Sequence, residues 1–160
     1  MTKYLTMFFL LLMTFSCNVS VKKDMTQDAD VSLVGTWALV SGQTITKNDT
    51  VFTDYTKGKK MIKIINASHF AFLRHDLNHG KDSTTADYAA GGGTYTLNGD
   101  EYVENLEYFN DRNWEGHSFH FKVRLSNDTL IQTGIEKIDS LGIDQQIVER
   151  YVRLSGETER

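Results

Sequence analysis

The sequence predicts an all-β domain, an eight-stranded antiparallel up-and-down barrel, and three observations carry that prediction. From Leu33 onward the chain is a series of short runs in which apolar and polar residues alternate, the period of strands with one face buried. No amphipathic helical period lasts more than a turn or two, and Val31 to Val34 offers at most a short cap ahead of the first strand. The runs are joined mostly by short, turn-rich spacers, so each strand neighbours the next; eight such strands curl until the first meets the last, which removes the exposed edges.

The first strand is GTWALVSGQTI, Gly35 to Ile45, and the second is KMIKII, Lys60 to Ile65, ended by Asn66-Ala67-Ser68. The third, HFAFLRH (His69 to His75), runs into the polar loop DLNHGKDSTT. The fourth is GGGTYTL, Gly91 to Leu97, whose three glycines suit a bulge or sharp bend and lack the Lys-Ser/Thr and helix of a phosphate loop. Asn98-Gly99 is a tight-hairpin signal leading into EYVENLEYF, Glu101 to Phe109. After the longer loop NDRNWEG come HSFHFKVRL (His117 to Leu125), the turn Ser126-Asn127-Asp128, TLIQTGI (Thr129 to Ile135), and finally QIVERYVRL (Gln146 to Leu154).

The two ends frame this domain. MTKYLTMFFLLLMTFSC carries one charge at Lys3, an apolar run from Tyr4 to Phe15 and small Ser16 before Cys17, the layout of an export signal over residues 1–16. The apolar run falls short of the ~20 residues a permanent span needs. Cys17, the single cysteine of the 160-residue chain, stands where a bacterial lipoprotein carries its lipid, so the segment resembles a lipoprotein signal; the alternative is an ordinary secretion signal with Cys17 a bystander. Residues 17–32 then form a lipidated N-terminus and polar tether, 33–154 the barrel, and 155–160 a polar tail. With the thiol consumed by lipid, disulfides and cysteine catalysis are excluded. The net charge of −4 and the lack of a basic cluster interleaved with aromatics exclude nucleic acid as the expected partner.

Gly35-Thr36-Trp37 on the first strand matches the Gly-x-Trp signature of lipocalins, and Arg153 stands on the last strand where lipocalins place an arginine. Together with HFAFL, GGGTYTL, YVENLEY, DTLIQTG and VERYVRL, these residues make the span Leu33 to Leu154 similar to the lipocalin-like domains of secreted bacterial proteins. The resemblance implies a lipocalin-like barrel in which Arg153 packs across Trp37 at the closed end. It also implies that Arg153, and with it Tyr151 and Glu149, points inward. The disulfide and long helix of vertebrate lipocalins are lacking.

Alternation along each strand then nominates a lumen. Phe70 and Phe72 share one face, as do Tyr95 and Leu97, and as do Tyr102, Glu104, Leu106 and Tyr108; His117, Phe119, Phe121, Val123 and Leu125 oppose a polar face. The candidate ligand-binding set is Phe70, Phe72, Tyr95, Tyr102, Glu104, Tyr108, His117, Phe119, Phe121, Glu149 and Tyr151. An inward carboxylate must be paired, hydrogen-bonded or protonated. Glu104 is therefore either an anchor or base for a ligand, or, with Glu149, a partner of Arg153, Arg150 or tyrosine hydroxyls that orders the core. The histidines make no metal site: His69 and His75 lie roughly 20 Å apart on one strand at ~3.3 Å per residue, His117 and His120 point to opposite faces, and the loop set His75, Asp76 and His79 matches no ligand motif. No metal or other cofactor is expected. Loops 76–90 and 110–116 fall at one end of a meander, which places His79 and Trp114 at a mouth, with an apolar plug the other reading of Trp114.

The leading functional expectation is a non-enzymatic envelope lipoprotein, held to the membrane through Cys17, whose lumen binds a small, mostly apolar or amphipathic molecule. The alternatives are a filled barrel acting as a structural or interaction module, and a lipid-active isomerase or hydrolase using Glu104 or His117 as acid or base.

Overall fold

A computed structural model describes residues 32–155. The expected signal peptide (1–16), the lipidation site Cys17, the tether up to residue 31 and the tail from residue 156 lie outside the described residues. One antiparallel sheet holds β1 (Gly35–Ile45), β2 (Thr50–Asp54), β3 (Lys59–Ile65), β4 (His69–Asp76), β5 (Tyr88–Asn98), β6 (Glu101–Phe109), β7 (His117–Ser126), β8 (Thr129–Ile138) and β9 (Ile143–Arg153). The order is β2-β1-β3-β4-β5-β6-β7-β8-β9, and β1 also pairs with β9. Eight strands, β1 and β3 to β9, thus close the expected up-and-down barrel.

The ninth strand is not among those expected from the sequence. β2 pairs only with the outer half of β1, from Ser41↔Asp54 to Ile45↔Thr50, while the inner half of β1 pairs with β3. It therefore stands as a ribbon at the mouth, with Val51 and Phe52 52% and 62% exposed. A strand whose apolar residues face water has no buried face to impose alternation. Several other boundaries also move toward the mouth. β5 begins at Tyr88 instead of Gly91, β8 continues to Ile138 instead of Ile135, and β9 begins at Ile143 instead of Gln146.

The closed end is built on β1 and β9. Trp37 and Arg153 are register partners, and the Arg153 guanidinium lies 4.1 Å from the Trp37 ring centroid. Its two terminal nitrogens donate to the carbonyls of Val34 (3.0 Å) and Ser32 (2.6 Å), while Trp37 Nε1 donates to the Leu33 carbonyl at 2.9 Å. One arginine thus ties the chain entering the barrel to the last strand, covering a fully buried tryptophan. Gly35 makes room for this: a Cβ there would run into the guanidinium. Inward residues Leu39, Ile65, Phe70, Tyr102, Leu130 and Tyr151 fill this end as apolar core.

The glycine run of β5 does provide a bulge. Gly92 pairs with Tyr108 but Gly93 with Leu106, so β6 carries one extra residue at Glu107. A Cβ on Gly93 would strike the carbonyl oxygen of Asn105, which is why the bend needs glycine.

Candidate functional site

Above the apolar base the barrel is open. A cavity of about 510 Å³ occupies its upper half, walled by Met61, Phe72, Leu106, Phe109, Trp114, Phe119, Phe121 and Ile147 on the apolar side. Its polar lining includes Lys63, Arg74, Glu104, Gln132, Glu136, Gln145 and Glu149, with Asn110 and Asp111 at the mouth. The aromatic rings form a connected wall. Phe72 meets Phe109 edge-on at 5.4 Å, Phe109 meets Trp114 at 6.1 Å, Trp114 meets Phe119 at 5.8 Å, and Phe119 stacks on Phe121 at 6.4 Å.

Of the residues nominated from the sequence, Phe72, Glu104, Phe119, Phe121 and Glu149 come together on this cavity. Phe70, Tyr102 and Tyr151 point inward as expected but lie buried in the core of the closed end. Tyr95 packs on Tyr102 at 5.2 Å, and its hydroxyl donates to the Asn66 carbonyl at that same end. His117 sits at the mouth end of β7, half-buried beside Phe119. Tyr108 is a correction: it is 67% exposed, because the extra residue at Glu107 reverses the alternation and brings Phe109 inward in its place. Leu97, expected inside with Tyr95, is a second correction: it is 45% exposed near the end of β5, although it pairs with buried Tyr102.

The cavity floor is a polar ring in which the expected Glu104 and Glu149 meet two residues not expected there, Lys63 and Gln132. Lys63 on β3 is 3% exposed; its Nζ donates to Glu104 Oε1 on β6 at 2.7 Å and to Gln132 Oε1 on β8 at 2.9 Å. The same ammonium lies 5.8 Å from the Phe70 ring and 5.3 Å from the Tyr151 ring. Glu104 thus has a lysine partner, not an arginine. Across the β8–β9 ladder Gln132 faces Glu149, whose Oε2 accepts the Tyr151 hydroxyl at 2.6 Å. Higher on β8, Glu136 accepts from Gln145 Nε2 at 2.7 Å. The mouth cation Arg74 and its neighbour Lys59 both bond to Asp87.

This arrangement crowds carboxylates into a partly dry space, and their proton affinities respond. Burial, reinforced by the neighbouring Glu149 and Glu104 and opposed by the Gln145 hydrogen bond, pushes Glu136 up to about 7. Burial likewise raises Glu149, against the pull of Lys63 and the Tyr151 hydroxyl. The Tyr102 and Tyr151 hydroxyls are held far above the ordinary tyrosine range by burial and the carboxylates beside them. No hydrogen bond joins Glu104 to His117 among the described residues: the carboxylate goes to Lys63 and the imidazole packs on Phe119.

At the mouth, the loop after β4 is organised by Asp76. Its carboxylate accepts the backbone N–H groups of Gly80, Asp87 and Asn78, which hold it below the usual carboxylate range. The acid of the His75-Asp76-His79 set therefore serves the turn itself. His79 is exposed with a positive φ, and Trp114 is half-buried against the cavity wall.

Lys63, Gln132, Glu136 and Gln145 line the cavity without having been expected there from the sequence. Met61, Lys63 and Ile65 share one face of their strand, and a lysine between two apolar neighbours on the inner face was the available signal. Glu136 and Gln145 fall in the polar stretch between two expected strands, which reads as a loop. In comparisons with known proteins, neither a protein-family model nor a curated protein matches the chain.

Proposed function

We propose that the protein is an exported envelope lipoprotein, anchored through lipid on Cys17, whose lipocalin-like barrel carries a small, mostly apolar or amphipathic molecule in its upper cavity. One observation carries this reading: a space of about 510 Å³, walled by connected aromatic rings and floored by buried polar groups. A filled barrel would place side chains there. A cavity of this size and lining matches what small molecules occupy in other barrels. Covering about 200 Å² of apolar ligand surface would contribute about 5 kcal/mol before the costs of association. The polar floor would orient the bound molecule.

Glu104 serves the floor as a partner of Lys63, and no nucleophile–base pair accompanies it among the described residues, which favours carriage over turnover. Binding is tested with the apolar dye N-phenyl-1-naphthylamine. Its fluorescence should rise on titration with the protein, and Phe119→Trp, which pushes a larger ring into the cavity, should weaken binding by about tenfold or more. Equal binding by the variant would contradict carriage in the lumen. Anchoring is tested by feeding the host an alkyne-tagged fatty acid: the native chain should be labelled and the Cys17→Ala chain should not. An unlabelled, freely soluble native chain would overturn the lipoprotein reading and leave carriage untouched.

A further inference from the structure

The polar floor specifies more than a place for some ligand. Gln132 is 1% exposed, its Oε1 accepts from Lys63, and its Nε2 has no hydrogen-bond partner among the described residues. The amide cannot be turned to cure this, because Lys63 only donates and so fixes Oε1 toward itself. An unpaired buried donor is costly, and this one belongs to a residue that lines the cavity. The ring thus holds a fixed, buried N–H donor that lacks an oxygen.

The charge around it points the same way. Glu104, Glu136 and Glu149 line the cavity, with Asp111 at its mouth, and face one buried cation, Lys63. Arg74, at the mouth, is committed to Asp87. Glu104 takes up the lysine, so Glu136 and Glu149 carry only neutral donors, the Gln145 amide and the Tyr151 hydroxyl. A ligand carboxylate would add one more acid to this space. An ammonium would supply the missing cation.

We propose that the floor recognises the polar end of an amphipathic amine: its ammonium is held by Glu149, opposite Gln132 on the β8–β9 ladder, and a neutral oxygen a few bonds away accepts from Gln132 Nε2. The apolar body then lies along Phe121, Phe119 and Phe72 toward Trp114. Burial raises the proton affinity of Glu149 and Glu136, against the pull of Lys63. The inference rests on the carrier reading above and narrows it to one ligand class.

The test is calorimetric titration at pH 8 of the purified, delipidated protein with four ten-carbon probes: 1-aminodecan-2-ol, decylamine, decan-2-ol and decanoate. On the native chain the amino alcohol should bind tightest, then the amine. Decan-2-ol should be weaker than the amine by about tenfold or more, the scale of one charge-assisted hydrogen bond, and decanoate weakest. Glu149→Gln should abolish the preference for amine over alcohol while the alcohol itself still binds. Glu101→Gln, an exposed acid at the start of β6, should change nothing. Gln132→Met should bring the amino alcohol down to the level of the plain amine.

Decanoate or decan-2-ol binding the native chain as tightly as decylamine would overturn the inference without any variant having to fold, and would leave the carrier reading standing. An amine preference that survives Glu149→Gln in a folded variant would also overturn it. If none of the four probes binds and N-phenyl-1-naphthylamine does not either, the carrier reading falls and this inference with it.

Discussion

Lys63 shows how one side chain organises the interior. Its ammonium, almost entirely out of water, is made tolerable by a carboxylate at 2.7 Å, an amide oxygen at 2.9 Å and two aromatic faces. Removing it would leave Glu104 buried with no countercharge. Lys63→Met should therefore destabilise the barrel by about 3–5 kcal/mol in urea unfolding, whereas Lys63→Met with Glu104→Leu should recover most of that loss. A double variant no better than the single one would show that the pair is not the unit that matters. Glu136 makes a separate prediction. Its proton affinity is raised on folding, so its neutral form favours the folded state; the stability it contributes is present below the ordinary glutamate range near 4.5 and is lost as pH climbs toward about 7. The groups around it are Gln145 and Glu149 on β9, Glu104 on β6 and Lys63 on β3. Glu149 shifts in the same direction. The melting temperature should decline between pH 5 and 7.5, and Glu136→Gln should flatten part of that decline. Asp76, Asp82 and Asp87, held low by hydrogen bonds and by Lys59 and Arg74, act in the opposite sense and in a lower window, where falling pH removes their contribution.

At the level of elements, the bulge between β5 and β6 decides which aromatic residues face the cavity. Gly93→Ala would place a methyl group against the Asn105 carbonyl, so the bulge must open or move; a loss of about 2–4 kcal/mol is expected by chemical denaturation. Phe109 would then leave the cavity wall, and dye binding would weaken more than stability alone explains. Unchanged stability would mean that the bend tolerates a side chain. This element also marks where strand patterns stop being legible. Alternation runs correctly from Tyr102 through Leu106, and one inserted residue, which leaves no mark in polarity, puts Tyr108 outside. The barrel strands themselves were legible because each has one dry face. β2 was not, since its apolar residues are wet. The mouth ends of β8 and β9 were not either, because Glu136 and Gln145 point into a cavity lined by polar groups and read as loop residues. Lys63 escaped for the converse reason: a charge on the dry face is intelligible only when its partners, 41 and 69 residues away in the chain, are known.

Taken as a whole, the barrel divides into two halves with different work. The lower half is apolar core, capped by Arg153 over Trp37, and it supplies stability and closure. The upper half is a cavity with aromatic walls, separated from that core by the ring of Lys63, Glu104, Gln132 and Glu149. A polar layer across the middle of a barrel is expensive to maintain if nothing sits on it, and the carrier reading gives it a purpose: orientation of an amphipathic guest. Native mass spectrometry of the protein isolated from its own host tests this directly. A small molecule should be found bound one to one, released on denaturation, identifiable by its own mass and lost from the Phe119→Trp chain prepared in the same way. A bare protein mass that stays bare after incubation with the host's lipid extract would contradict the carrier reading.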